Sequence, residues 1–268
     1  MKFKAGNPIK LVAFDLDGVI YQGRNALSGA VKTVRAFREK GLTITFLSNN
    51  SARSRAEIAK RLTEMGIEAT CEDVYTSSFA AIRFLREHCS GSGGKRVFVL
   101  AEPYLADELS QNGFEVTTKP PYDYFVVGFK PDFNYGHIAA SISALEESGC
   151  FVICNRDRLF PVEGGRLMPA SGAIVASIET VSGRKPDHEA GKPNPDLLRF
   201  IAGKHDLRPE EILMVGDSLA SDIAMAVDFG CPSVLVRSSG LSEYEKRLCP
   251  SMPVPDAAVE SIANIKIA

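Results

Sequence analysis

Two aspartates, Asp15 and Asp17, stand two residues apart in the stretch Phe14-Asp15-Leu16-Asp17-Gly18-Val19. On an extended chain, residues two apart point to one side, so both carboxylates face the same way. Neither belongs in an apolar core unless it is paired or bound to a metal. The run Lys10-Leu11-Val12-Ala13-Phe14 before them reads as a buried strand. Gly18 lets the chain turn where that strand ends, and the carboxyl ends of strands are where open α/β sheets bind ligands. A solvated turn carrying two acids would have the same sequence, so the pair has to be weighed with other segments.

Three further segments bear on it. Phe46-Leu47-Ser48-Asn49-Asn50-Ser51 ends another apolar run, and a hydroxyl beside free backbone N–H groups at such a junction binds anions. It equally fits an N-cap region before a helix at Arg55. Lys192, pinned in Gly191-Lys192-Pro193-Asn194-Pro195 at a helix start, is a compact charge suited to phosphate; an ordinary loop lysine fits too. Ile212-Leu213-Met214-Val215-Gly216-Asp217-Ser218-Leu219-Ala220-Ser221-Asp222 repeats the logic of the first segment: buried strand, glycine, acids. Asp217 and Asp222 can join Asp15 and Asp17 around one hard cation, Mg²⁺ by preference, since that ion takes carboxylate oxygens, water and phosphate rather than His or Cys. Asp222 can instead cap the helix that starts near it.

The elements that position these residues alternate. Strands are expected at 9–14, 43–48, 96–101, 123–129, 150–154, 211–215 and 233–237. Amphipathic helices are expected at Ala30–Lys40, Arg55–Met65, Ile138–Ser148, Pro195–Lys204 and Ser221–Phe229. Ser28, Ser54 and Asp132 stand as caps at helix starts, and Gly41, Gly66, Gly149 and Gly230 as closing glycines. Alternation of this kind predicts an α/β fold with a doubly wound, Rossmann-like parallel sheet. The strands at 9–14, 43–48 and 211–215 end in residues that look chemical, whereas those at 96–101, 123–129 and 150–154 do not. The expected division is therefore a catalytic core of residues 1–80 and 187–268, interrupted by a smaller α/β cap domain, 81–186, that covers the active face. Ser90–Gly94 reads as a short flexible loop.

The chain has 268 residues, 45% hydrophobic and 24% charged, a normal globular mix. A net charge of −2 gives no global field for nucleic acid or an acidic membrane surface. No apolar run approaches the ~20 residues of a membrane span, and Met1–Gly6 lacks the apolar stretch of a signal peptide. The six cysteines form no CxxC pair and read as small buried hydrophobes in a reducing cytoplasm. Histidines 88, 137, 188 and 205 show no catalytic spacing, and His188 reads as part of a hinge.

In order and spacing, the acid pair, the serine, the lysine and Gly216-Asp217…Asp222 resemble the haloacid dehalogenase superfamily, a phosphatase-rich group, from residue 9 to about residue 237. An insert between the serine and lysine motifs resembles its NagD-type or 4-nitrophenylphosphatase branch. So do Leu47-Ser48-Asn49-Asn50-Ser51 and the stretch Cys154-Asn155-Arg156-Asp157…Pro161…Gly165…Pro169-Ala170-Ser171-Gly172-Ala173. The chain departs from that pattern at Ala170-Ser171-Gly172 and at Ser218, where the family often has Asn or Arg. The resemblance implies a phosphomonoester hydrolase acting on small phosphorylated metabolites. Asp15 would be the nucleophile that forms an aspartyl-phosphate, and Asp17 the general acid and then base. Mg²⁺ would be held by Asp15, the Asp17 main-chain carbonyl and Asp217, with Asp222 bound directly or through water. Ser48, Asn49 and Lys192 would bind the phosphoryl oxygens. A cation is needed because a carboxylate approaching a phosphate dianion at ~4 Å costs roughly 4 kcal/mol per unit charge pair at an effective dielectric near 20. Asn155 and Asp157 are the candidates for leaving-group contact from the cap, with a turn-forming role open beside it. Members of the branch often form homodimers through the cap.

Three rival readings fit less well. A dehalogenase of the same superfamily needs no metal and has no use for Asp17 or the Asp217/Asp222 pair. A mutase or phosphotransferase usually carries a helical insert between the first two motifs, and only 32 residues lie between Asp15 and Ser48. A non-catalytic regulator usually lacks the nucleophile or the lysine, and both are present.

Overall fold

The computed structural model describes residues 8–88 and 94–266. Residues 90–93 of the expected loop lie outside that range, as do Cys89 and the Met1–Gly6 stretch. The fold is α/β and is built on two parallel sheets. Six strands make the first, in the order Ala257–Val259, Ser233–Val236, Ile212–Gly216, Leu11–Asp15, Thr43–Ser48 and Val74–Thr76. Neighbours in it run parallel, with Leu11 opposite Ile212 on one side and Thr43 on the other. Five strands make the second: His188–Glu189, Ser148–Ile153, Tyr122–Val127, Arg96–Leu100 and Glu115–Val116.

The central strands are fully buried apolar runs, LVAFD and ILMVG, as strands covered by helices on both faces must be. Phe14, Phe46, Val34, Phe37 and Ile58 fill one face of the first sheet. On the other face an apolar cluster is continuous with the second sheet. It runs from Leu11, Leu47 and Met214 through Ala81, Leu85 and Ile201 to Val97, Val126 and Val152. The far face of the second sheet packs Phe125 and Phe151 against Leu145 and Ile178, which come from the helices Tyr135–Glu146 and Ser171–Ser182.

Local signals fix several helix ends and mislead at others. Ser54 caps Arg55–Glu64 in a complete capping box with Glu57. Gly41, Gly66 and Gly230 take positive φ just past helix ends. The cap before Ala30–Glu39 is Gly29 rather than Ser28, and that of Tyr135–Glu146 is Asn134 rather than Asp132, because the Asn134 side chain reaches the Gly136 N–H. Gly149 closes no helix: it lies inside the strand Ser148–Ile153, which begins two residues after the helix ends. The helix Ser77–His88 starts directly after the strand Val74–Thr76. No described helix is long and apolar enough to cross a membrane.

Candidate active site

The strand Leu11–Asp15 ends on Asp15, and its parallel neighbours end on Ser48 and Gly216 at the same edge of the sheet. After Asp15 the Leu16 carbonyl accepts the N–H groups of Val19, Ile20 and Tyr21 in a tight turn. Gly18 is obligatory in that turn. Its φ is +87°, and a Cβ there would lie 2.1 Å from Asp217 Oδ2. The sequence therefore uses glycine to bring the first acidic loop against the second.

Asp15, Asp217 and Asp222 form a buried group whose nearest ligand atoms all lie within 4.8 Å of one another. The Lys192 ammonium sits among them, 2.5 Å from Asp15 Oδ1 and 2.7 Å from Asp222 Oδ1. Asp222 Oδ2 accepts the main-chain N–H groups of Asp217 and Ser218, both at 3.1 Å. The sequence left open whether Asp222 binds a metal or caps the helix that starts near it, and here its Oδ2 closes the loop that carries Asp217. Asp217 Oδ2 is buried and accepts no hydrogen bond among the described residues. A buried, unpartnered carboxylate oxygen beside two further carboxylates fits a divalent cation.

The Asp17 carboxylate stands apart from that group. It faces Tyr21, whose hydroxyl donates to Asp17 Oδ2 at 3.5 Å. The Arg61 guanidinium lies 4.3 Å from the centre of the Tyr21 ring and also donates to the Gly23 carbonyl. Burial pushes Asp17 up to about 6, although part of the residue reaches the cavity surface; Arg61, then Lys192 and Arg53, oppose the rise. Burial raises Asp15 well above the carboxylate range against the pull of Lys192. Asp217 is raised by burial and then by the charges of Asp15 and Asp222. Burial alone would lower Lys192, but Asp15 and Asp222 outweigh it and keep the ammonium charged.

Ser48, Asn49 and Lys192 line one cavity, and Asn49 joins the loops around it. Its side-chain oxygen accepts the Lys192 N–H at 2.9 Å, and its NH₂ donates to the Lys192 carbonyl at 2.9 Å and to Asp157 Oδ2 at 2.9 Å. Both amide protons are spent, so the donor Asn49 keeps for a ligand is its main-chain N–H. Ser48 Oγ accepts the Asn50 N–H at 3.2 Å, which leaves the hydroxyl proton free to donate. Asn155 donates to the Asn49 carbonyl at 2.7 Å, and the Phe129 N–H donates to Ser51 Oγ at 2.8 Å. Asn155 and Asp157 thus bind the Asn49 loop, and both also line the cavity. Gly172 lets the helix Ser171–Ser182 start against their turn, for a Cβ there would lie 2.5 Å from the Arg156 carbonyl.

All of these groups open into one cavity of about 1220 Å³, walled by both sheets' loops. Phe129, Arg158, Leu159 and Phe160 line it from one side, and Arg53, Arg61 and Tyr244 from others. Sequence reasoning missed Tyr21, which comes back onto Asp17 through the local turn, and Arg61 and Glu245, which reach the site through tertiary packing. The histidines stay outside it. His188 stacks on Phe84 with ring centroids 3.6 Å apart, and His137 Nδ1 accepts the Asn134 N–H.

Residues 12–115 match the family described as haloacid dehalogenase-like hydrolase, and residues 189–265 match a HAD-hydrolase-like family. The ribonucleotide monophosphatase NagD of Escherichia coli (strain K12) is 32% identical over 97% of this chain and 99% of its own. The crystal structure of 4-nitrophenylphosphatase from Thermotoga maritima superposes with a TM-score of 0.85 at 26% identity, over 95% of each chain. That of a glycerol phosphate phosphatase from Mycobacterium tuberculosis in complex with magnesium superposes with a TM-score of 0.82 at 30% identity, over 95% of this chain and 75% of that one.

Proposed function

We propose that this chain, which belongs to the haloacid dehalogenase-like hydrolases and is a phosphatase, cleaves phosphomonoesters of small metabolites with Mg²⁺, through an aspartyl-phosphate on Asp15. The observation that carries the reading is the placement of Asp15 at a strand end, with the Lys192 ammonium at 2.5 Å and the unpartnered Asp217 Oδ2 beside it. Asp15, the Asp17 main-chain carbonyl and Asp217 are the ligands in this proposal, with Asp222 adding charge at the inner edge. Bound there, Mg²⁺ would offset the repulsion between the Asp15 carboxylate and a phosphate dianion.

The residues divide the work. A carboxylate oxygen of Asp15 bonds to phosphorus as the ester P–O bond breaks. Asp17, protonated, gives its proton to the departing alkoxide. It then takes a proton from the water that attacks the phosphorus of the acyl-phosphate, which frees inorganic phosphate and regenerates Asp15. Ser48 Oγ, the Asn49 main-chain N–H and the Lys192 ammonium donate to the phosphoryl oxygens as negative charge builds on them.

The inserted unit, residues 81–186, is the cap in this proposal. It covers the cavity and contacts the leaving group through Phe129, Arg158, Leu159 and Phe160. A homodimer through the cap would use apolar groups such as Tyr135, which is 84% exposed on an outer helix. Cys154 and Cys231 are free and buried as expected, whereas Cys71 and Cys249 are exposed rather than buried, and free thiols of this kind suit a reducing cytoplasm. The test is a panel of phosphomonoesters assayed after exhaustive chelation and again with added Mg²⁺. Turnover should vanish and return; full turnover without a divalent ion, or none on any ester, would overturn the reading.

A further inference from the structure

The loop that carries Asp217 is held from two sides by carboxylates. Asp222 takes the N–H groups of Asp217 and Ser218. Glu245 takes the next two: Leu219 N–H donates to Glu245 Oε2 at 2.6 Å, and Ala220 N–H to the same oxygen at 3.4 Å. The Ser218 hydroxyl donates to Glu245 Oε1 at 2.6 Å and itself accepts the Ser221 N–H at 3.0 Å. Every main-chain N–H from Asp217 to Ser221 therefore ends on a side-chain oxygen. The carboxylate is a strong acceptor for such a set, since charge-assisted bonds of this kind are about twice as strong as neutral ones.

Glu245 belongs to the helix Leu241–Leu248, more than twenty residues beyond the loop. The segment leading into that helix touches the first acidic loop too, for Ser238 Oγ donates to the Gly18 carbonyl at 2.6 Å. The cavity wall includes Tyr244, Glu245 and Leu248 from the same helix. One element thus braces both acidic turns. Glu245 is half-buried, and Ser218 and Leu219, which donate to it, are buried. Nothing in the proposed reaction uses the Glu245 carboxylate itself.

We infer that Glu245 is a positioning residue for the divalent cation: by clamping Ser218, Leu219 and Ala220 it fixes the direction in which Asp217 presents its unpartnered oxygen. The inference rests on the reading that Asp217 is a metal ligand. Residues that orient metal ligands are commonly worth 10–100-fold in metal affinity.

The test measures Mg²⁺ binding to the full chain by calorimetry, without substrate, for wild type, Glu245→Ala, Glu245→Gln and Asp217→Asn. Glu245→Ala should bind Mg²⁺ about 10–100-fold more weakly. Glu245→Gln, whose amide can still accept from Leu219 and meet the Ser218 hydroxyl, should fall between it and wild type. In turnover assays Glu245→Ala should raise the Mg²⁺ concentration needed for half-maximal rate. It should leave the KM for the ester unchanged and recover kcat at saturating Mg²⁺. Wild-type affinity in Glu245→Ala beside lost affinity in Asp217→Asn overturns this inference alone. A kcat that Mg²⁺ cannot restore in either Glu245 variant, with the fold intact by melting, overturns it as well. If Glu245→Ala does not fold, Glu245→Gln decides: wild-type Mg²⁺ affinity in that variant counts against the inference and a weakened one for it. Equal affinity in wild type and Asp217→Asn would mean that the metal reading itself has failed.

Discussion

Asn155 donates its side-chain amide to the main-chain carbonyl of Asn49 at 2.7 Å, so a buried residue beyond the strand Ser148–Ile153 of the second sheet holds the loop that follows a strand of the first. The two residues proposed at the sequence level for leaving-group contact differ here. Asn155 is buried and spends its amide on that loop, and its side-chain oxygen accepts the Asp157 N–H. Asp157 gives only Oδ2 to Asn49 and keeps part of its surface on the cavity.

Their substitutions should therefore separate. Asn155→Ala should lower kcat on every ester by a similar factor, about 10-fold for one buried hydrogen bond of about 1–2 kcal/mol. Asp157→Asn should change the ranking of esters by kcat/KM while sparing nitrophenyl phosphate, whose leaving group needs little help. Kinetics on one substrate panel decides both. A changed ranking in Asn155→Ala would return that residue to the leaving group.

Lys192 is buried at 3% exposure between Asp15 and Asp222. Removing one member of a buried ionic cluster leaves charge uncompensated and commonly costs about 3–5 kcal/mol. Lys192→Met should lose about that much stability in metal-free denaturant melts at neutral pH. The sign with pH follows from Asp15, which burial already raises and which the ammonium pulls back. Without the ammonium it rises further. A carboxyl raised in the folded state binds its proton better than in the unfolded chain, so folding is favoured as pH falls. The deficit should shrink towards acidic pH, and a deficit that grew there would contradict the assignment.

How much could be read from residues alone follows from length and distance. The strands around Leu11–Asp15 and Ile212–Gly216 are nearly continuous apolar runs, Thr43–Ser48 is rich in β-branched and apolar residues, and their ends lie where the acids and Ser48 stand in sequence. Val74–Thr76, Ala257–Val259 and His188–Glu189 are two or three residues long, too short to show any periodicity. The hairpin Leu159–Val162 with Arg166–Pro169 hides behind its prolines and glycines, which read as turn. The helix Ser77–His88 follows the strand Val74–Thr76 without a break, so no loop residues mark its start. In the site, the four aspartates and Lys192 announce themselves through neighbours in sequence. Arg61 and Glu245 do not, because each acts on a group that the fold alone brings to it, and Tyr21 does not because its contact with Asp17 depends on the turn after Leu16.

Arg61 lies close enough to Asp17 to oppose the effect of burial, which sets that carboxyl at about 6. Its removal should raise Asp17 further. As an acid Asp17 works in its protonated form, so activity that needs it is present below its pKa and lost above it. The alkaline limb of kcat/KM for an alkyl phosphate should therefore move to higher pH in Arg61→Met and return in Arg61→Lys. An unmoved limb, or one shifted to lower pH, would remove Arg61 from the electrostatics of Asp17.

The central claim is that Asp15 carries the phosphoryl group during turnover. The most direct measurement is to quench the enzyme in acid while it turns over a phosphomonoester with Mg²⁺, reduce with borohydride, and map the peptides by mass spectrometry. An acyl-phosphate on Asp15 would be converted to homoserine at position 15 and at no other aspartate, and Asp15→Asn would show neither the product nor turnover. A reduced aspartate elsewhere in the chain, or sustained turnover by Asp15→Asn, would contradict the account.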